Sequence, residues 1–207
     1  MGVIKFNLLS LRYILKKKHM KKITTLIIVL VAFTTNAQVF KGKGDTKFQV
    51  GANMQKGGTG INVTTDFGLG KNMSFGFVAG YLLNADNITI SETEYFIQNP
   101  SFDPMVNGSN PNLTTKPEFM DRLDLKIRFN ANIGNVLNIS DAMDVYPGLS
   151  LGLRNFGGHI GARYFFTDGF GVYSEAGFPI ASYKNNLVGF DKYNNQFTFN
   201  IGASFNL

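Results

Sequence analysis

Apolar and polar residues alternate one by one over much of the chain, most clearly at its end. Phe197, Phe199, Ile201, Ala203, Phe205 and Leu207 fall on one side of a period-two pattern, and Gln196, Thr198, Asn200, Gly202, Ser204 and Asn206 fall on the other. Successive side chains of a strand point to opposite faces, so this predicts a strand with one apolar face. Residues 122–133 repeat the pattern: Leu123, Leu125, Ile127, Phe129, Ala131 and Ile133 alternate with Arg122, Asp124, Lys126, Arg128, Asn130 and Asn132. Weaker copies at 48–54, 61–67, 73–81, 145–153, 160–166 and 172–180 bring the predicted strands to eight. Pro147 has no N–H to give a ladder and predicts a bulge in the fifth strand. No stretch after residue 38 has a helical period.

The connections fit hairpins. Lys56-Gly57-Gly58-Thr59 joins the first two strands. Asn155-Phe156-Gly157-Gly158 joins the fifth and sixth, which sets Arg154 opposite His159 at the rim. Thr167-Asp168-Gly169 reads as a three-residue loop with Gly in the left-handed position, pairing Phe166 with Phe170 and Arg163 with Tyr173. Segment 83–118 holds Pro100, Pro104, Pro111 and Pro117 and reads as a long irregular loop, a length usually reserved for function.

Eight strands with one apolar face describe two architectures, a lipid-facing barrel and a soluble lipocalin-like one. Volume separates them. The apolar set carries too many aromatic rings for an eight-stranded lumen, which is only wide enough to be filled by side chains. The other face offers Gly51, Gly76, Gly80, Gly148, Gly152, Gly161, Gly177 and Gly202 among Ser, Thr and Asn. Small polar residues inside and apolar residues outside are the membrane arrangement. The expected fold is therefore all-β, an eight-stranded antiparallel up-and-down transmembrane β-barrel over 46–207. Phe77, Leu125, Ile127, Phe129, Leu149, Leu151, Phe178, Phe197, Phe199 and Ile201 are its expected lipid-facing residues. With both ends in the periplasm, 55–60, 83–118, 155–158 and 183–195 lie outside, and 68–72, 134–144 and 167–169 lie inside.

The chain ahead of the barrel agrees. Lys21 and Lys22 precede an apolar run from Ile23 to Phe33, followed by Thr34-Thr35-Asn36-Ala37. This is the form of a secretory signal over 20–37, cleaved after Ala37; the run is too short to span a bilayer as a helix. Residues 1–19 read as an upstream extension with Met20 as the true start, and 38–45 as an N-terminal segment.

Charge changes the picture once the leader is set aside. The formal charge is +6, yet residues 1–37 hold seven of the 20 Lys and Arg and no acid. The remainder has 13 basic against 14 acidic residues, so nothing gathers a nucleic acid. The absence of Cys excludes disulfides, thiolate metal sites and a lipidated Cys.

The stretch Thr35 to Gln38, the run Gly68-Leu69-Gly70-Lys71-Asn72-Met73-Ser74-Phe75-Gly76 and the ending Phe197 to Leu207 resemble small outer-membrane β-barrel proteins of the Bacteroidota. These are similar in architecture to OmpA- and OmpX-type barrels. The resemblance covers about residues 46–207. It implies a bacterial outer-membrane location, and a last strand read by the barrel-assembly machinery, but no activity. That machinery's signal usually ends in Phe, whereas this chain ends in Leu207. Trp, common in interface girdles, is absent; Tyr81, Tyr183, Phe156, Phe67, Phe75, Phe166 and Phe170 are the candidates to replace it.

The inward face carries Asp66, Arg122, Asp124, Lys126, Arg128, Arg154, Arg163 and Glu175. Isolated charges in a low-dielectric interior are costly, so a mutually paired plug is expected; a narrow ion or solute channel is the alternative. His159 is the one histidine after the leader, with Ser150 and Ser174 as conceivable nucleophiles. Neither serine lies beside it in the expected register, so a lipid-modifying enzyme is the weaker reading. Glu92, Glu94 and Asp103 match no calcium loop. The Asn-x-Ser/Thr sites, among them Asn87, Asn107 and Asn112, carry no weight in so Asn-rich a bacterial chain. Gly68-x-Gly70 precedes no helix and is no phosphate cradle. The reading is a non-enzymatic, monomeric outer-membrane barrel with no cofactor, metal or nucleic-acid partner. Its partners are outer-membrane lipid, the assembly machinery, and an unidentified one for loop 83–118.

Overall fold

A computed structural model describes residues 39–91, 112–185, 187 and 189–207. The leader, the cleavage site and residues Glu92, Glu94, Asp103 and Asn107 lie outside them. Ten strands are seen among the described residues: β1 (Thr46–Gln55), β2 (Gly58–Gly70), β3 (Met73–Ala85), β4 (Ile88–Ser91), β5 (Asn112–Thr115), β6 (Leu123–Ala131), β7 (Met143–Gly152), β8 (Asn155–Phe165), β9 (Phe170–Ser182) and β10 (Thr198–Asn206). All but β4 and β5 form a closed barrel, each strand antiparallel to its neighbours in chain order, and β10 returns to β1. This is the expected eight-stranded up-and-down barrel. Closure leaves no edge of a barrel strand unpaired.

The alternation sorts the faces as expected. Phe77, Leu125, Ile127, Phe129, Leu149, Leu151, Phe178, Phe197, Phe199 and Ile201 all point outward and are exposed, while Asp66, Arg128, Arg163 and Glu175 are buried within. No aromatic packing joins Phe129, Phe197 and Phe199 in the lumen. The rings cluster instead at the rim that holds both ends of the barrel. Tyr164, Phe166, Phe170, Phe205 and Phe48 follow one another at centroid separations of 5.3, 6.2, 5.6 and 6.3 Å. Phe67 and Phe75 continue that belt at 5.4 Å.

Several connections depart from expectation. Segment 83–118 is not a plain loop: β3 runs on to Ala85, and β4 and β5 pair as a separate hairpin. A short helix, α1 (Phe119–Arg122), precedes β6, and the turn 134–144 contains a second, α2 (Gly134–Leu137). Gly169 is not left-handed, although Phe166 and Phe170 do pair through a 3.0 Å backbone bond. Pro147 makes no bulge. The β6 ladder stops one residue short of it, at Asn130 opposite Gly148. Continued in register, the absent N–H of Pro147 would face Ala131.

The largest correction is to β8. It begins at Asn155, so Gly157 and Gly158 are strand residues rather than a turn. The bare face of Gly158 is covered by the Phe178 ring, which a Cβ there would strike. His159 consequently pairs with Gly148, well inside the barrel, and not with Arg154. Arg154 lies in the two-residue connection between β7 and β8.

Candidate functional site in the barrel interior

The interior is assembled from side chains that alternate large and small across neighbouring strands. Tyr146 stands opposite Gly161, His159 opposite Gly148, and Asp66 opposite Gly76. A Cβ on Gly161 would overlap the Tyr146 ring, and one on Gly148 the imidazole. Glycine thus makes the space that the larger group fills.

Arg128 is the centre. It is 1% exposed, and its Nε and Nη2 grip both Asp66 oxygens at 2.7 and 2.6 Å. Nη1 donates to Glu175 at 2.7 Å, and Nη2 also reaches Gln49 and Thr64 at 3.2 Å. Forked charge-assisted bonds of this kind are the strong ones. Arg163 repeats the device one layer nearer the termini. It donates to Asp144 at 2.8 and 3.1 Å and to Asn132 at 2.6 Å, and Nη1 stands 3.5 Å from Asp66. The Tyr146 ring lies between the two guanidiniums, 5.8 and 4.6 Å from them, a cation–π arrangement on both sides.

Below this layer, Lys47 donates to Asp45 at 2.7 Å and to Asn206 at 2.8 Å. Segment 39–45 folds across the same end. Val39 and Phe40 are buried, Val39 packs on Phe165, and its N–H donates to Asp141. The terminus-side mouth is therefore closed by the chain itself.

The opposite half is built of amides. Asn53 donates to Asn200 at 2.8 Å. A 3-10 turn (Gly189–Lys192) leads into Asn194 and Asn195, which drop into the mouth. Asn155 holds them through Asn194 O at 2.9 Å and Asn195 Oδ1 at 3.0 Å, and Gln55 exchanges bonds with Asn194 at 2.8 and 2.9 Å. Tyr193 donates its hydroxyl to the Asp86 carbonyl. Burial, with the Asp86 carboxylate adding to it, raises this phenol above its ordinary pKa and keeps it a donor. Between the halves remains a cavity of about 40 Å³, room for a few waters, bordered by Asn62, Asp124 and Ser150. Asn62 Oδ1 and one Asp124 oxygen have no protein donor.

The eight expected inward charges therefore divide. Asp66, Arg128, Arg163 and Glu175 meet in one network. Asp124 and Lys126 pair separately at 3.0 Å near the amide half. Arg122 and Arg154 are outside it, because they occupy α1 and a rim turn where strand parity no longer applies; Arg154 donates to the Met120 carbonyl at 2.6 Å. Expectation missed Asp144, Lys47, Asp45, Gln49 and Tyr146. The inward parity of Gln49 and Tyr146 was available as a signal, whereas Asp144 lay in a segment read as a turn. His159 meets Asn130 Oδ1 at 2.7 Å, and among the described residues no serine or carboxylate hydrogen-bonds it. No group of three His, Asp or Glu that would hold a metal occurs among the described residues.

Comparison with known proteins gives a family. A model for a family of unknown function, DUF6646, matches residues 30–108 and 104–207. Among curated proteins no match is found. One similar solved structure, titled "De novo design of transmembrane beta-barrels", is 8% identical, covers 82% of this chain and 100% of its own, and has a TM-score of 0.44.

Proposed function

The chain belongs to the DUF6646 family of unknown function, and from that premise we propose that it is an integral bacterial outer-membrane protein whose plugged barrel anchors surface segments. The observation that carries this reading is the division of faces. Every barrel strand turns apolar side chains outward, while the interior is sealed with charges and amides. In water the exterior would be an apolar patch far larger than soluble proteins tolerate. Strands of 9 to 13 residues, tilted, cover a band of about 25 Å. The ring belt at the terminus-side rim supplies an interfacial girdle without Trp.

Likeness to OmpA-type barrels of the Bacteroidota, export through the signal at 20–37 and insertion by the assembly machinery all belong to this proposal. So does the monomer, whose side chains fill its own lumen. The anchored segments are the β4–β5 hairpin and the chain between its strands, where an outside partner would be met. The reading involves no catalytic step, cofactor or nucleic acid. The test is gel mobility of the unheated, detergent-refolded protein against a boiled sample, with conductance across a planar bilayer. A heat-dependent shift without steady conductance is expected. Solubility without detergent overturns the membrane reading, and steady current lost on altering Arg128 and Arg163 overturns the plug in favour of a channel.

A further inference from the structure

The outer wall carries a recess and a groove that meet at one residue. The recess, about 280 Å³, sits at the rim away from the termini and is bordered by Met120, Leu153, Arg154, Tyr183, Lys184 and Asp191. The groove, about 510 Å³, runs along the outer faces of β3, β6 and β7 over Phe77, Leu125, Ile127 and Leu151. Leu153 borders both. Its N–H donates to Leu125 at 3.1 Å, so recess and groove are held in line by backbone. The site carries Arg154 and Lys184 at the top and is mainly apolar below, where Thr65 and Lys126 are the polar residues on the border of the groove.

The cations are poised differently. Arg154 is oriented by its 2.6 Å bond to the Met120 carbonyl, a neutral acceptor that leaves the guanidinium charge uncompensated. Among the described residues no carboxylate lies within ion-pair distance of it. Lys184 is paired with Asp191 at 2.7 Å, but its side chain is 66% exposed, so that pair is weak and exchangeable. A guanidinium fork matches phosphate oxygens, and a lysine adds a point charge. The half-exposed Tyr183 ring stands where an interfacial aromatic belongs.

We propose that recess and groove together bind one anionic, phosphate-bearing lipid. Its phosphate lies against Arg154 and Lys184, and an acyl chain lies along Leu153, Leu151 and Leu125. The inference rests on the membrane reading above. Charge complementarity selects the occupant: a free phosphate has no use for the groove, and a zwitterionic lipid offers no net charge to the guanidinium.

The experiment uses the full chain refolded in dodecyl maltoside, with the mobility shift checked first. Native mass spectrometry then follows retention of phosphatidylglycerol, phosphatidylcholine or inorganic phosphate. One phosphatidylglycerol is expected, preferred about tenfold over phosphatidylcholine, with no phosphate adduct. R154Q lowers its retention about tenfold and K184Q by less, while K71Q, at the opposite rim, changes nothing. Equal retention of the two lipids, undiminished retention by R154Q, an equal loss in K71Q, or capture of phosphate alone overturns the proposal and leaves the membrane reading standing. Absence of the mobility shift sinks both.

Discussion

Toward the chain termini the lumen is filled by Arg128, Arg163 and Lys47 locked to Asp66, Asp144, Glu175 and Asp45; toward the other mouth it is filled by Asn53, Asn155, Asn194 and Gln55. The two halves answer the same demand, that buried polar groups find partners, with different stakes. Removing one member of a buried ion pair strands a charge, and little in the interior can compensate it. Removing one amide leaves a neutral group that a water can satisfy, and the neighbouring cavity already has space for water. The ionic half is therefore brittle and specific, and the amide half is forgiving and openable.

Substitutions that probe each half should separate them. Arg128→Met strands Glu175, leaves Asp66 only its 3.5 Å contact with Arg163, and should cost about 3–5 kcal/mol, read as a lower urea midpoint for loss of the fast-migrating gel band. An equally large loss from an amide variant would erase the distinction. Gly161→Ala forces Tyr146 from between the two guanidiniums and should cost about 1–3 kcal/mol in the same assay. Asn155→Ala removes two bonds to the 194–195 segment and should cost about 1–2 kcal/mol. Its clearer readout is amide hydrogen exchange, which should accelerate over 189–196 and stay slow at 126–130. Tyr146→Phe keeps the ring between the arginines and gives up only a 3.4 Å bond from Gln49, so a change of less than about 1 kcal/mol is expected.

The sequence reveals faces better than depths. Side-chain parity needs only a period of two, and the inward set from Gln49 to Ser204 follows it. The Arg163–Tyr173 pairing was legible too, because a short turn fixes register. Depth depends on where a strand begins, and there glycine misleads: Gly157 and Gly158 look like a turn, yet they are strand residues, and the missing side chain of Gly158 admits the Phe178 ring. That one misplacement put His159 at the rim. The same ambiguity hid Asp144, whose segment turns from loop to strand at Met143. Tyr81-Leu82-Leu83 breaks the alternation, so the end of β3 was lost into the neighbouring segment; a register shift at Thr59 and Gly60 accompanies it. The β4–β5 hairpin escaped for a different reason, since its strands are four residues each and too short to display a period.

The β1–β10 seam has a consequence in time. Lys47 donates to Asn206 across 159 residues of chain, and nothing before the last strand can supply that acceptor. The cylinder cannot close until β10 is present, and such distant pairings form slowly. Arg128, by contrast, draws its acceptors from β1, β2 and β9, none of them on the final strand. In the closed barrel β10 lies between β1 and β9, so its docking also fixes the Gln49 and Glu175 acceptors on either side of it around Arg128.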